Sequence, residues 1–316
     1  MRIAVLLAHH DIACWRFSDA HRDKLVAALP GVDVAVCADP EAFVAALADA
    51  RVALVWGFRQ EWLAHAPELE WIVTPAAGRD YFDIEPRAGL TVENSSFHGQ
   101  LMAETVVGMM LAQCRGLVRA HAMQPTDPWP RARIAPHMRT LRGAHVVVLG
   151  FGHIGEWIAQ LAKPLGARIT GIRRHAQPAP AYFGPADRVR TQEALDEVLP
   201  AADHLALALP RAPETDHILS ARRIGLLPRH AYVYNVGRGN AIDEAALAEA
   251  LNRGRLAGAC LDVFEQEPLP EDAPIRTAAN ALLLPHASAI APQYLDLFLD
   301  EFIDKFRRRY GAPAEA

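Results

Sequence analysis

Short β-type runs, most of them apolar, alternate with helical periods along the first hundred residues. The runs are "RIAVLLA" (2–8), "VDVAVC" (32–37), "VALVWG" (52–57), "WIVTP" (71–75) and "TVENS" (91–95). Between the first three lie "FSDAHRDKLVAALP" and "DPEAFVAALADA", where Asp39 can cap a helix and Pro40 sits in its first turn. Such spacing predicts a parallel sheet with helices on its faces. Residues 98–124 then read as one long helix, and the proline-rich, basic stretch 125–143 as a surface loop or arm. A second series starts at His145: "HVVVLG", "ARITGIR", "DHLALALP", "AYVYNVG", "GACLDV" and "NALLLPH". Six β-runs with helices between them make a full doubly wound domain. In the tail, Leu295, Phe298, Leu299, Phe302 and Phe306 recur at helical spacing and predict an amphipathic helix. The fold class expected is α/β with two Rossmann-like domains. Residues 98–287 form a doubly wound parallel-sheet domain, inserted in a smaller flavodoxin-like domain of residues 1–97 plus 288–316. A site is expected in the cleft of such an arrangement.

Composition narrows the classes. Of 316 residues, 51% are hydrophobic, enough for packed cores. The net charge of −5 gives no reason to expect nucleic acid or an anionic membrane as a partner. No apolar run reaches the roughly 18 residues of a membrane helix. "MRIAVLLAHHD" has a short apolar part and no small-residue cleavage site, and reads as the first buried strand rather than a signal peptide. Cys14, Cys37, Cys114 and Cys260 form no CxxC pair, so reduced core cysteines and a cytoplasmic location are expected. His9, His10, His98 and His153 show no metal-ligand spacing, and no metal is expected.

The most specific motif is "VVVLGFGHIGEWIAQLAKPLGARITGIRRH", residues 146–175. A glycine turn follows an apolar strand, opens a helix and leads to a second strand, the context a dinucleotide-binding turn requires. Gly150 permits the tight turn, Gly152 lets backbone approach a pyrophosphate, and Gly155 lets helix pack on sheet. The amides of His153 and Ile154 then face the phosphates at the helix N-terminus. Arg173 lies 18 residues beyond Gly155, where an acid would accept from the ribose hydroxyls of NAD. A guanidinium cannot accept; it suits a phosphate. NADPH is therefore expected in preference to NAD, with Arg173 and Arg174 around the 2′-phosphate. The alternative is an arginine that stacks on adenine or faces solvent.

Three further stretches carry chemistry: "YNVGRGNAIDEAALAEAL" with Arg238, "LAGACLDVFEQEPLP" with Asp262 and Glu267, and "NALLLPHASAI" with His286. With "GFGHIG" and "LPRAPET", they make the chain resemble the D-isomer-specific 2-hydroxyacid dehydrogenase family over nearly its whole length. Within that family it looks most like the NADPH-dependent glyoxylate/hydroxypyruvate reductases. The resemblance implies that Arg238 binds a substrate carboxylate, that His286 protonates the carbonyl oxygen, and that Glu267 holds this histidine. Asp262 would lie near the nicotinamide amide, Leu209 and Pro210 beside the adenosine half, and Val236 and Gly237 near nicotinamide. Ala77 and Gly78 would offer amides to the carboxylate, which Arg238 and His286 also contact. A homodimer is implied, in which Trp129 of the arm could reach a partner's site or anchor its own loop.

The physics agrees with these roles. A 2-keto acid carries one fixed charge and develops another on oxygen, so a cation and an acid are both needed. Read singly, each residue has a plainer role as a surface arginine, a loop acid or a strand-end histidine. Arg79 stands where relatives carry a small apolar residue; it could add charge to the pocket or point outward. Trp56 and Phe58 could wall the pocket. The expected activity is reduction of small 2-keto acids. The rivals are a dinucleotide-sensing corepressor, or a dehydrogenase of another small anion or a larger keto acid.

Overall fold

The computed structural model describes residues 1–78 and 82–311. The chain divides into two units, Met1–His98 with Ile290–Ala316, and Gly99–Ala289.

The first unit holds a parallel sheet of β1 (Arg2–Leu6), β2 (Asp33–Val36), β3 (Ala50–Val55), β4 (Trp71–Thr74) and β5 (Thr91–Asn94) in the order β2-β1-β3-β4-β5. β1 runs between β2 and β3, with Ile3 level with Val34 and Val52. Val52–Val55 and all of β4 are buried, as strands covered on both faces must be. Asp39 caps its helix by accepting from the Ala42 amide at 2.8 Å, with Pro40 in the first turn. The tail forms a helix, Tyr294–Tyr310, and its five expected apolar residues are all buried. Trp71 stacks on Phe302 with centroids 5.4 Å apart. Glu301 fixes this helix to the chain after β5 by accepting from the Ser96 and Phe97 amides.

One expectation for this unit changes, and one grouping is added. Phe58 is 2% exposed and packs edge-on against Phe43 and Trp62, so it is core and not a pocket wall. His9, His10 and Asp11 bring one ligand atom each within 4.8 Å of one another, a grouping their lack of metal-ligand spacing did not suggest. His9 Nδ1 already accepts from the amides of Asp11 and Ile12.

The second unit is a seven-stranded parallel sheet. Its strands are β6 (His145–Leu149), β7 (Arg168–Arg173), β8 (Arg188–Thr191), β9 (His204–Leu207), β10 (Tyr232–Asn235), β11 (Gly258–Leu261) and β12 (Ala281–Leu283), in the order β8-β7-β6-β9-β10-β11-β12. The order reverses at β6, and at such a switch point a crevice opens beyond the strand ends. Strand β8 adds to the six anticipated. It is an edge strand, "RVRT", whose charged positions hide it from a search for apolar runs.

The expected single helix over 98–124 is two. Gly99–Cys114 ends, Gly116 takes φ +68°, and Leu117–Met123 continues at a 62° bend. A side chain at Gly116 would touch nothing closer than 3.5 Å, so the left-handed backbone and not space selects glycine there. The arm beyond holds one turn of helix, Arg131–Ile134, and a 3₁₀ turn, Ala135–His137, with Trp129 80% exposed. Among the described residues no single helix is long and apolar enough to cross a membrane.

Candidate active site

The loops at the C-terminal ends of β6, β9 and β10 meet through their backbones. Gly150 has φ +93°, and a Cβ there would lie 2.6 Å from the Ala208 carbonyl oxygen. A Cβ on Gly237 would lie 2.5 Å from both the nitrogen and the oxygen of Leu209. The Leu209 backbone thus runs between two glycines that only lack of a side chain lets so close. Gly155 serves packing, since its Cβ would meet the Gly150 carbonyl oxygen at 2.5 Å. Gly152 is exposed, with no atom within 4 Å of its Cβ position. It caps the His153–Ala162 helix, so the His153 and Ile154 amides open that helix beside open space. The His153 ring is exposed and reaches Gly99, while the Ile154 side chain packs on the core.

The two arginines after β7 differ. Arg173 pairs with Glu156, donates to Gln177 and lies 5.1 Å over the Phe151 ring, leaving its side chain 15% exposed. Arg174 is 71% exposed and pairs with Glu214 at 2.8 Å. A mobile, solvated guanidinium can change partners; one clamped between a carboxylate and an aromatic face is largely committed to the fold.

Other expected contacts also separate. Pro210 is exposed, and its carbonyl accepts from the Thr215 hydroxyl at 3.0 Å. The Val236 side chain is 1% exposed and belongs to the core. In the first unit, Asn94 donates to the carbonyls of Gly78 (2.7 Å) and Ala76 (3.3 Å), which fixes the loop carrying exposed Ala77 and half-buried Gly78. Trp56 packs with Trp15 and Tyr294, at 5.4 Å from Trp15 and 6.0 Å from Tyr294. Trp15 and Trp56 each bury an indole nitrogen with no hydrogen-bond partner among the described residues. Arg79 lies outside the described residues.

Arg238, Asp262, Glu267 and His286 form one constellation. Asn235 builds the turn before Arg238, accepting from the Gly237 amide and donating to the Arg238 carbonyl, each at 3.0 Å. The half-buried Arg238 directs Nη1 to the Gly237 carbonyl at 2.8 Å. Gly239 follows, and a Cβ there would lie 1.8 Å from the Phe264 carbonyl carbon, so the Arg238 turn presses directly on the loop that leads to Glu267. Asp262 is fully buried. Its carboxylate accepts from the amides of Ala287 (2.6 Å) and Ser288 (3.0 Å), and its carbonyl from that of His286 (2.8 Å). This carboxylate therefore shapes the turn in which His286 adopts φ +51°. Glu267 accepts from the Phe264 amide at 3.0 Å and from His286 Nδ1 at 2.7 Å.

The charges reinforce each other. The hydrogen bond to Glu267 raises the pKa of His286 against the opposing effect of burial. Burial pushes the Glu267 carboxyl up, but its bonds to His286 and to the Phe264 amide outweigh this and hold it low. Arg238 is close enough for its charge to lower both. A pocket of about 500 Å³ adjoins the pair, walled by Phe264, Leu269, Leu284 and Arg276 as well as Glu267 and His286. Arg276 has no motif around it and was not anticipated. It donates to the carbonyls of Pro270 (2.7 Å) and Leu269 (2.6 Å) and so shapes the pocket wall.

Comparisons with known proteins agree with one another. A family model for the "D-isomer specific 2-hydroxyacid dehydrogenase, NAD binding domain" matches residues 107–288. The chain is 33% identical over 236 residues to a glyoxylate reductase of Aeropyrum pernix, covering 72% of this chain and 69% of that one. It is 31% identical over 277 residues to a D-3-phosphoglycerate dehydrogenase of Methanocaldococcus jannaschii, covering 85% of this chain but spanning only about half (52%) of that relative. A solved D-isomer specific 2-hydroxyacid dehydrogenase from Xanthobacter autotrophicus Py2, in complex with NADPH and MES, matches with a TM-score of 0.79 at 29% identity, over 99% of this chain and 95% of that one.

Proposed function

The chain belongs to the D-isomer specific 2-hydroxyacid dehydrogenase family, and from that premise we propose that it reduces small 2-keto acids to D-2-hydroxy acids with NADPH, glyoxylate and hydroxypyruvate being the leading substrates. The 2.7 Å contact between His286 Nδ1 and Glu267 carries this reading. An ionised carboxylate only accepts, so Nδ1 is the donor and Nε2 holds the proton to be given away. The raised pKa keeps the imidazole charged toward neutral pH. In reduction, His286 passes its Nε2 proton to the carbonyl oxygen and becomes neutral, with its Nδ1–H still on Glu267. Arg238 neutralises the fixed carboxylate charge and polarises the carbonyl.

The residues around the glycine turn fit a dinucleotide. Gly152 leaves open space at a helix N-terminus, which suits a pyrophosphate. Bound there, the nicotinamide would supply the hydride. Arg174, exposed and paired with a partly exposed acid, supports a preference for the 2′-phosphate of NADPH. The four free cysteines suit a reducing cytoplasm. Trp129, exposed on its arm, supports a homodimer in which the arm contacts a second copy.

Initial rates of NADPH and NADH oxidation, side by side with glyoxylate and hydroxypyruvate, test the proposal. Fast turnover with NADPH and little with NADH is expected. Turnover with NADH alone would remove the role given to Arg174, and no turnover with either acceptor would remove the substrates.

A further inference from the structure

A second pocket, of about 370 Å³, lies at the opposite edge of the seven-stranded sheet. Arg119, His137, Arg139, Arg229, His230 and Tyr232 line it. Tyr232 begins β10, whereas Gly150, Gly237 and His286 all follow strand ends. Four strand residues at about 3.3 Å each separate the two edges by roughly 13 Å. The pocket is therefore distinct from the glycine turn and from the His286–Glu267 pair.

Its charges are not balanced from within. Asp203 is the acid beside it, and both of its oxygens are engaged, by His230 at 2.8 Å and by the His145 amide at 2.7 Å. Arg139 donates to the carbonyls of Pro136 and Met138, and Arg229 to that of Gly254; neither bond cancels a charge. Arg119 is half-buried and has no hydrogen bond or ion pair among the described residues. The Tyr232 side chain is 5% exposed, and its hydroxyl also lacks a hydrogen-bond partner among the described residues. Burial raises the pKa of that hydroxyl, while the charges of Arg119 and Arg139 pull it down, so both guanidinium groups act on it. A chain of net charge −5 gathers this positive cluster against its overall balance.

We propose that this pocket is a second ligand site, for a compact small molecule with two or more negative charges, either a phosphate ester or a polycarboxylate. Guanidinium forks bind both groups in bidentate fashion, and a half-buried cation without a counter-charge is the cost such a ligand offsets. The Tyr232 hydroxyl supplies a neutral donor beside them. The volume suits a small molecule.

Calorimetric titration of the full chain with pyrophosphate, and separately with citrate, tests this, each with and without saturating NADPH. One-to-one binding that survives NADPH is expected. Tighter pyrophosphate would identify the phosphate class, and tighter citrate the carboxylate class. The double variant R119Q/R139Q should weaken binding by roughly 100-fold or more, at about tenfold or more per charged hydrogen bond, while R174Q should leave it unchanged. Should the double variant fail to fold, Tyr232→Phe removes only the hydroxyl and should weaken binding by about 2- to 10-fold. Absence of saturable binding would overturn the proposal. So would binding abolished by NADPH or by R174Q, which would place the anion in the nucleotide site. A changed molecular mass in R119Q/R139Q with anion binding intact would assign these side chains to a contact between copies and would equally overturn it.

Discussion

Replacing Glu267 with glutamine removes one negative charge and keeps the side-chain shape. In the wild type, one carboxylate oxygen accepts from the Phe264 amide and the other from His286 Nδ1. Glutamine has a single acceptor oxygen for these two donors. If the oxygen stays on the Phe264 amide, an NH₂ group faces Nδ1 and favours neutral imidazole with Nδ1 as acceptor. If it turns to His286, the Phe264 amide loses its partner. A hydrogen bond to a charged group contributes about 1.5–3 kcal/mol. The His286 and Glu267 side chains are 41% and 35% exposed, so solvent screening places this pair at the low end, about 1.5 kcal/mol or roughly tenfold. The sign follows from Glu267 raising the His286 pKa. Without the charge, the alkaline limb of the reduction rate moves to lower pH, and kcat at neutral pH falls about tenfold. Glu267→Asp keeps the charge and should restore much of the limb's position. Steady-state pH profiles of keto-acid reduction read the limb directly, and an NMR titration of the His286 imidazole reads the pKa independently of turnover. An alkaline limb unmoved in E267Q, or moved equally far in E267D, would refute the electrostatic reasoning.

Arg174→Ala should raise KM for NADPH about tenfold while changing KM for NADH little; Arg173→Ala, which frees Glu156 and uncovers Phe151, should lower the melting temperature and leave the ratio of the two KM values near its wild-type value. Gly239→Ala places a methyl group where the Phe264 backbone lies, and overpacking should cost roughly 1–3 kcal/mol in urea unfolding while lowering kcat; unchanged stability would contradict the close approach. Asp187, its side chain fully buried, accepts from Lys163 (2.5 Å), Gly184 (2.7 Å) and Ile169 (2.8 Å). Burial raises its pKa, but these bonds hold it below the ordinary 3.8, so its contribution persists above that value and disappears as pH falls through the lower folded-state pKa. Asp187→Asn should destabilise by roughly 3–5 kcal/mol at neutral pH and flatten the acid limb of the melting curve.

Of the twelve strands in the two larger sheets, eleven were legible as β-type runs, most of them apolar because a parallel sheet covered on both faces demands it. β8 was not, since an edge strand tolerates Arg188 and Arg190 facing water. Gly116 lies inside the helical pattern of residues 98–124, and its φ of +68° is what separates two helices from one. The family resemblance, and no spacing rule, pointed to Glu267 beside His286, and the two lie 2.7 Å apart. Sequence could not show that the Asp262 carboxylate is engaged by two amides beyond His286, or that Glu156 holds Arg173 across 17 residues. Both are contacts between elements, and no local pattern encodes them. Phe58 misled for a related reason: an aromatic after a strand can face a pocket or a core, and here Phe43 and Trp62 supply the core.

The left-handed backbone of His286 sets its proposed role against durability. A side chain other than glycine at φ +51° costs about 1–2 kcal/mol, and the bonds made by Asp262 hold the turn in that form. The residue proposed to give up the proton is thus a poor choice for the fold. His286→Gly should therefore melt higher than His286→Ala, while the proposed role makes both inactive. Selection for stability alone would drift this position toward glycine, and only selection for turnover would keep a histidine there.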